Sequence, residues 1–283
     1  MSCLVGNGEA FATGGPVIGR VHSIQSLGAV DGPGLRSVAF LQGCPLRCAY
    51  CHNPDTWDFS GGTEMDAEEL AKKLLRFRPY WGKNHGPIGE CREAVGSSLV
   101  TPERINAMTD GMRGPEVTGG VTVSGGEPLA QADFVLDLFR RLHAAGVHTA
   151  LDTSGTCDLK TAEKVLMETD IALVDLKFLT EEEYRTRCHG SLAKTTAFLN
   201  LTKEMNIPIW IRHVAVPGMT ANEEYMKRVQ EVAMSYPNLQ KLEFLSFHNM
   251  CLEKYERMGI PFPLKDTPVM EPDAWKELLE KIG

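Results

Sequence analysis

Gly119-Gly120-Val121-Thr122-Val123-Ser124-Gly125-Gly126-Glu127-Pro128 joins a short β-branched run to a double-glycine turn, and a helical pattern follows it. Val and Thr suit an extended, pleated backbone, so Gly120–Ser124 is read as a strand. From Gln131 to Ala145, Phe134, Leu138 and Leu142 recur at helical spacing. A strand followed at once by an amphipathic helix is part of a βαβ unit. Working outward, the alternation repeats. Ser37–Leu41 reads as an earlier strand, and His148–Asp152, Ile171–Asp175, Ile209–Val216 and Lys241–Phe247 as later ones. Helical stretches lie near 159–168, 191–205, 222–236 and 272–282. Asp66-Ala67-Glu68-Glu69 has a capping-box pattern and opens a helix through Phe77, with Leu70, Leu74 and Phe77 on one face. Six strands alternating with helices imply an α/β chain with a parallel sheet and right-handed crossovers.

Such sheets bind ligands at the carboxyl ends of their strands. Cys44 follows the first strand and Gly125-Gly126-Glu127 the second. Asp152-Thr153 ends the third, Asp175-Leu176-Lys177 the fourth, and His248 follows the sixth. Polar features from distant parts of the chain are thus expected on one face. Taken singly, Asp152 and Asp175 read equally as helix caps, Lys177 as a solvated lysine, His248 as a satisfied buried histidine and Gly125-Gly126 as a tight turn.

Cys44, Cys48 and Cys51 lie within eight residues, out of eight cysteines in the chain. Soft thiolates this close on an irregular loop suit one metal centre. A cubane [4Fe–4S] cluster held by three of them keeps one iron open for a small molecule. Zinc prefers four ligands, and the fourth would have to be the adjacent His52. Cys48-Ala49-Tyr50-Cys51-His52 also matches the c-type haem attachment pattern, which belongs with export. The other cysteines, Cys3, Cys91, Cys157, Cys188 and Cys251, read as ordinary thiols.

The net charge of −8 argues against a nucleic-acid or anionic-membrane partner. No apolar run approaches the roughly 18 residues that a membrane span needs. Residues 1–18 are glycine-rich, without a secretory pattern, and are read as a disordered lead-in to a single domain over 19–283. Residues 79–118 interrupt the alternation as an insert, within which Thr101-Pro102-Glu103 could start one short helix.

Larger motifs narrow the reading. Val30-Asp31-Gly32-Pro33-Gly34-Leu35-Arg36, Phe40-Leu41-Gln42-Gly43-Cys44 and Cys48-Ala49-Tyr50-Cys51-His52-Asn53-Pro54 resemble the glycyl-radical activating enzymes of the radical S-adenosylmethionine (SAM) superfamily. Trp57-Asp58, the Gly119–Pro128 run, Leu151-Asp152-Thr153-Ser154-Gly155, Val174-Asp175-Leu176-Lys177, Trp210-Ile211-Arg212 and Val216-Pro217-Gly218 extend the resemblance over about 18–282 and fit the type acting on pyruvate formate-lyase. The resemblance implies a laterally open, TIM-like partial (β/α)6 barrel. It implies a [4Fe–4S] cluster on Cys44, Cys48 and Cys51, with SAM chelating the fourth iron. Reductive cleavage of SAM would then take a hydrogen from a glycine of the partner enzyme, leaving a glycyl radical there.

By the same resemblance Tyr50, Asn53, Gly125, Gly126 and Glu127 would border SAM, the last three near its amino group. Lys177 would meet its carboxylate and His248 its ribose or carboxylate end. Asp152, Thr153 and Asp175 would form a monovalent-cation site, and Asp31 and Arg212 would face the partner's glycine loop. The implied electron donor is a flavodoxin or ferredoxin, and the implied state a cytoplasmic monomer, or an organellar one in a eukaryote. The insert holds only Cys91, so it lacks the cysteines of the ferredoxin-like inserts of other activases. That favours the pyruvate formate-lyase type, although the insert and the lead-in are both extra to it. The alternatives are activation of a different glycyl-radical enzyme, or a non-catalytic zinc or thiol module.

Overall fold

The structure is a computed structural model and describes residues 15–83, 85, 86 and 117–283. Most of the lead-in and of the 79–118 insert, including the short helix at Thr101 and Cys91, lies outside the described residues. In chain order the principal elements are β1 Ile18–Gly28, β2 Leu35–Leu41, β3 Thr63–Asp66, α1 Ala67–Leu75, β4 Gly119–Gly125, α2 Ala132–Ala144, β5 Thr149–Thr153, α3 Leu159–Leu166, β6 Ile171–Asp175, α4 Leu192–Glu204, β7 Ile209–Ala215, α5 Glu223–Met234, β8 Leu239–Ser246, α6 Leu252–Met258 and α7 Pro272–Ile282.

The sheet runs β3-β1-β2-β4-β5-β6-β7-β8. From β2 to β8 every pairing is parallel, so the six expected strands and their order hold. The two outer edges do not meet, and the sheet curves as an open partial barrel rather than a closed one. Two strands go beyond the sequence reading. β1 pairs antiparallel with β2, and β3 with β1. β1 escapes an alternation test because its register slips twice, between Val21 and Ser23 and between Gln25 and Gly28. Bulges of this kind break the two-residue period.

The helices start where the sequence supplies caps. The Asp66 carboxylate accepts from the Glu69 amide at 2.7 Å, Asp158 from Thr161 at 3.0 Å and Asn222 from Tyr225 at 2.9 Å. α1 stops at Leu75 rather than Phe77. The chain tightens into a 3-10 turn over Arg78–Tyr80, as the nearby Pro79 cannot continue an α-helix. Leu70, Leu74, Phe134, Leu138 and Leu142 pack with Val121, Val123 and Leu151 in the principal core between helices and sheet. Burying each such side chain is worth about 1.5–3 kcal/mol.

A second constraint sits within the sheet. Arg36 of β2 is fully buried. Its guanidinium donates to Thr122 Oγ1 at 2.7 Å, to the Val121 carbonyl at 2.7 Å and to the Pro33 and His148 carbonyls at 3.1 Å each. Thr122 Oγ1 in turn donates to the Asp31 carbonyl at 2.6 Å. Arg36 thereby ties the Asp31–Gly34 turn to β4 and β5. Burial, and then the nearby Arg36 charge, push the His148 imidazole down to about 3. The folded chain keeps His148 neutral where the unfolded chain protonates it near pH 6.5, so stability falls as pH drops below that value. Between pH 6.5 and 5 this group should cost about 1.6 kcal/mol. Urea unfolding should show wild type losing that much more stability than His148→Gln over the window; equal losses would contradict the assignment.

Candidate active site

At the carboxyl ends of the parallel strands lies one cavity of about 320 Å³. Asp31, Cys44, Cys48, Tyr50, Cys51, Asn53, Gly125, Gly126, Glu127, Asp152, Thr153, Asp175, Lys177 and Arg212 all line it. Phe40, Leu46, Trp57, Val214 and Leu245 complete its apolar wall. The sheet's parallel register delivers the polar set. Asp175 stands opposite Arg212, and Thr153 opposite Val174, so the reactive strand ends lie level.

The cysteine loop is irregular but tightly tied. The Gly43 amide donates to the Thr56 carbonyl at 2.8 Å, and the Gln42 amide side chain to the Asp55 and Asp58 carbonyls at 2.9 and 2.8 Å. Arg47 donates to the Cys44 carbonyl at 2.7 Å and lies over the Trp57 ring, 4.9 Å from its centroid. Tyr255 donates to the Cys51 carbonyl at 3.1 Å. On either side of Cys48, Arg47 N–H donates to the Cys188 carbonyl at 2.8 Å and Ala49 N–H to the Arg187 carbonyl at 2.7 Å. Burial pushes the Cys44 and Cys51 thiols up to about 12, so loading a metal centre there must displace protons.

Among the described residues no three His, Cys, Asp or Glu side chains converge as ligands of a single ion. The three thiols share a cavity wall without closing on one point, a spread that suits a multi-iron cluster. Soft sulfur donors, buried at Cys48 and half-buried at Cys44 and Cys51, fit an iron–sulfur group.

Across the cavity the glycines have a packing role. A Cβ on Gly126 would lie 2.2 Å from the Gly43 carbonyl oxygen, and one on Gly125, at φ +119°, 2.2 Å from the Leu41 nitrogen. They allow the end of β4 to close on the Gly43–Cys44 turn, sealed by Gly126 N–H to Leu41 O at 2.8 Å and Glu127 N–H to Gly43 O at 2.9 Å. Glu127 is almost fully buried. Its Oε1 accepts from Thr153 Oγ1 at 2.6 Å and Leu129 N–H at 3.1 Å; its Oε2 accepts from Ser154 N–H at 2.9 Å and Ser154 Oγ at 2.6 Å. The carboxylate expected to meet an amino group therefore clamps β4 to β5.

Asp152 and Asp175 are not helix caps. Arg212 donates to both, to Asp175 at 3.0 Å and to Asp152 in a very short contact. Lys177 donates to the other oxygen of Asp175 at 2.9 Å. Burial alone would raise Asp175, but Arg212 and Lys177 outweigh it and hold the carboxyl near 2. Burial, followed by the Asp152 charge, raises the Asp31 carboxyl. Asn53 faces the cavity while accepting from Lys254 at 2.8 Å.

His248 is the one expected site residue outside the cavity lining. Its ring lies 4.0 Å from that of His52, tilted by 42°, and His52 Nε2 lies 3.0 Å from the His248 carbonyl. The structure also brings in residues that sequence reasoning passed over. Ser124 donates to Asp152 at 2.6 Å, and Ser154 holds Glu127. Both sit within motifs already quoted, so only the inward direction of their side chains was missing. Cys188 has no local signature.

Truncating Arg212 leaves Asp152 without its cation and Asp175 with Lys177 alone. Arg212→Ala should cost about 3–5 kcal/mol in urea unfolding of the unloaded chain. Adding Asp152→Asn should recover part of it, and an unchanged midpoint for Arg212→Ala would show that the network carries no stability.

Comparison with known proteins follows the same division. The model of a 4Fe–4S single cluster domain matches residues 30–82, and that of the radical SAM superfamily matches residues 91–229. The pyruvate formate-lyase-activating enzyme of Clostridium pasteurianum is 37% identical over 262 residues, covering 93% of this chain and 96% of its own. That of Listeria monocytogenes is 36% identical over 264 residues, covering 91% and 93%. Streptococcus suis SuiB, solved with S-adenosylmethionine, superposes with a TM-score of 0.53 at 13% identity, over 84% of this chain and 44% of that one, which speaks for the fold alone. With nearly full-length similarity to these activating enzymes, the chain belongs to the radical SAM superfamily and, within it, to the pyruvate formate-lyase-activating enzyme family.

Proposed function

We propose that this chain cleaves SAM reductively on a [4Fe–4S] cluster and so generates a glycyl radical on pyruvate formate-lyase. The observation that carries the reading is the meeting of three thiols with the strand-end acids, glycines and Lys177 in one cavity, in a chain alike to activating enzymes over nearly its whole length. Cluster and SAM supply the hard chemistry when bound: one electron, cleavage of the sulfur–C5′ bond, and a carbon radical able to take the Cα hydrogen of a glycine.

The protein's part is binding, orientation and exclusion. Cys44, Cys48 and Cys51 would hold the cluster. The close packing of Gly125 and Gly126 fixes the backbone that borders the methionine amino group, and Glu127 keeps that turn rigid rather than pairing with the ligand. Lys177 offers its ammonium to the SAM carboxylate, with Asp175 orienting it. Tyr50, packed at 5.8 Å against Phe178, and Asn53 wall the ligand. Trp57, Val214 and Leu245 keep the reacting carbon away from water. Asp31 and Arg212 face the incoming glycine loop, whose entry suits the unclosed side of the barrel.

A monovalent cation at Asp152, Thr153 and Asp175 would bind in competition with Arg212, which already holds both carboxylates. His248 acts on the site through His52. The electron donor is a small low-potential carrier, a flavodoxin or ferredoxin, approaching the cysteine loop. The chain works as a monomer in the cytoplasm, as one domain carrying an insert at 79–118. No helix among the described residues is long and apolar enough to cross a membrane.

The test is anaerobic reconstitution with iron and sulfide, reduction, and addition of SAM and pyruvate formate-lyase. Electron paramagnetic resonance should reveal a glycyl doublet on the lyase, absent with a folded Cys48→Ala chain. Uptake of zinc with no iron–sulfur absorbance, or full activity in Cys48→Ala, would sink the assignment. A doublet on another glycyl-radical enzyme, but not on this lyase, would overturn the choice of partner.

A further inference from the structure

Asp31 reaches the cavity from the opposite end of the sheet. The other polar residues of the lining lie in a parallel strand or beyond a strand's carboxyl end, where such folds place their ligands. Asp31 stands before β2, in the connection 29–34 from β1, at the amino end of the parallel strands. To line the cavity this connection must fold back against the inner face of β4 and stay there. Its own sequence does little to keep it in place. It has no regular structure, and Gly32 at φ +122° and Gly34 at φ +73° widen its conformational choice.

The hold comes from Arg36 and Thr122. Thr122 shares with Ser124 the face of β4 that looks into the cavity. Its hydroxyl donates to the Asp31 carbonyl at 2.6 Å, and Arg36 Nη1 donates to the Pro33 carbonyl at 3.1 Å. Arg36 Nε donates to the same hydroxyl at 2.7 Å, which leaves the hydroxyl's own proton for Asp31. The guanidinium is fixed in turn by the Val121 carbonyl at 2.7 Å and the His148 carbonyl at 3.1 Å. A Cβ on Gly32 would lie 3.0 Å from Arg36 Cδ, so the turn packs directly on the arginine stem. Arg36 and Thr122 are both fully buried, where water cannot replace a lost donor. The two bonds to the turn end on backbone carbonyls and leave the Asp31 carboxylate to the cavity. A buried guanidinium whose partners are carbonyls, a hydroxyl and an imidazole is a costly way to fill space, since an apolar side chain of its size would pack more cheaply.

We infer that Arg36, acting through Thr122, is a positioning residue that sets Asp31 at its place in the cavity and so governs engagement of the lyase's glycine loop. The inference rests on the proposal that Asp31 faces that loop. Neither Arg36 nor Thr122 lines the cavity, so each acts only through the turn it holds. The Glu127 clamp and the Arg212 pairs include neither residue. Loss of the Arg36–Thr122 hold therefore releases Asp31 and leaves the walls that would hold the cluster and SAM in place. The consequence for the reaction is a division of labour: the strand-end walls serve SAM cleavage, and the buried arginine serves acceptance of the protein substrate.

The experiment uses the reduced, reconstituted holoenzyme with SAM and varied pyruvate formate-lyase, comparing wild type, Arg36→Lys, Thr122→Val, Thr122→Ser and Asp31→Asn. Glycyl radical followed by electron paramagnetic resonance gives kcat and the KM for the lyase, and 5′-deoxyadenosine released without lyase gives the basal cleavage. Arg36→Lys and Thr122→Val should each raise the KM for the lyase about tenfold, with kcat and lyase-free cleavage within about twofold of wild type. Thr122→Ser, which keeps the hydroxyl, should restore the wild-type KM. Amide hydrogen exchange in Thr122→Val should quicken about tenfold over residues 29–35 and stay unchanged over 44–57. Should Arg36→Lys fail to fold, the Thr122 pair decides. A wild-type KM in Thr122→Val, a loss of lyase-free cleavage as large as the rise in KM, or a serine variant behaving as the valine one would overturn the inference. An Asp31→Asn chain with the wild-type KM would remove the reading of Asp31 itself and the inference with it. A raised KM in Asp31→Asn beside unmoved Arg36 and Thr122 variants would overturn the positioning role alone.

Discussion

The site depends on one buried arrangement of charge, Arg212 between Asp152 and Asp175 with Lys177 on the far side of Asp175. Four charges brought to the ends of three adjacent parallel strands would be costly if any stood alone, because desolvation penalises each. Together they neutralise one another and fix the heights of β5, β6 and β7 relative to the cavity floor. The parallel register makes this possible, since it sets Asp175 level with Arg212. The arrangement also leaves the cavity with polarity on one wall and thiols on the other, which an amino-acid ligand with an ammonium and a carboxylate requires.

A second clamp, Glu127, does for β4 and β5 what Arg212 does for the next three strands. Its two oxygens collect four hydrogen bonds from Thr153, Ser154 and the Leu129 amide. With Gly125 and Gly126 packed against the Gly43–Cys44 turn, this clamp carries strand geometry directly to the cysteine loop. The loop contains no regular structure beyond a single 3-10 turn at Pro54–Thr56, so its precision comes from such ties. Placing a flexible-looking loop on rigid neighbours is how a reactive centre stays within the small tolerances that radical chemistry needs.

Much of this was legible in the residues. The run Val121-Thr122-Val123 and the helical spacing of Phe134, Leu138 and Leu142 specify strand and helix by local preference, and repetition of that unit implies the parallel sheet. β1 was not legible because its bulges place Ile18, Val21, Ile24 and Leu27 at intervals of three, which resembles neither strand nor helix, and β3 is only four residues long. In the site, residues at strand ends announced themselves by standing where apolar runs stop. Their partners did not. That Arg212 would hold the acids and that Glu127 would be saturated by Ser154 are facts of three-dimensional register, with no pattern along the chain. His248 illustrates the reverse, since it follows the last strand as expected while its ring packs against His52 outside the cavity lining.

The central claim is that the cysteine wall and the strand-end wall serve one ligand at once, SAM bound to the cluster's open iron. Electron–nuclear double resonance on the reduced, reconstituted wild type with SAM labelled at its amino nitrogen tests this directly. The account predicts a hyperfine coupling from that nitrogen to the cluster. A reduced cluster that binds labelled SAM with no such coupling would contradict it.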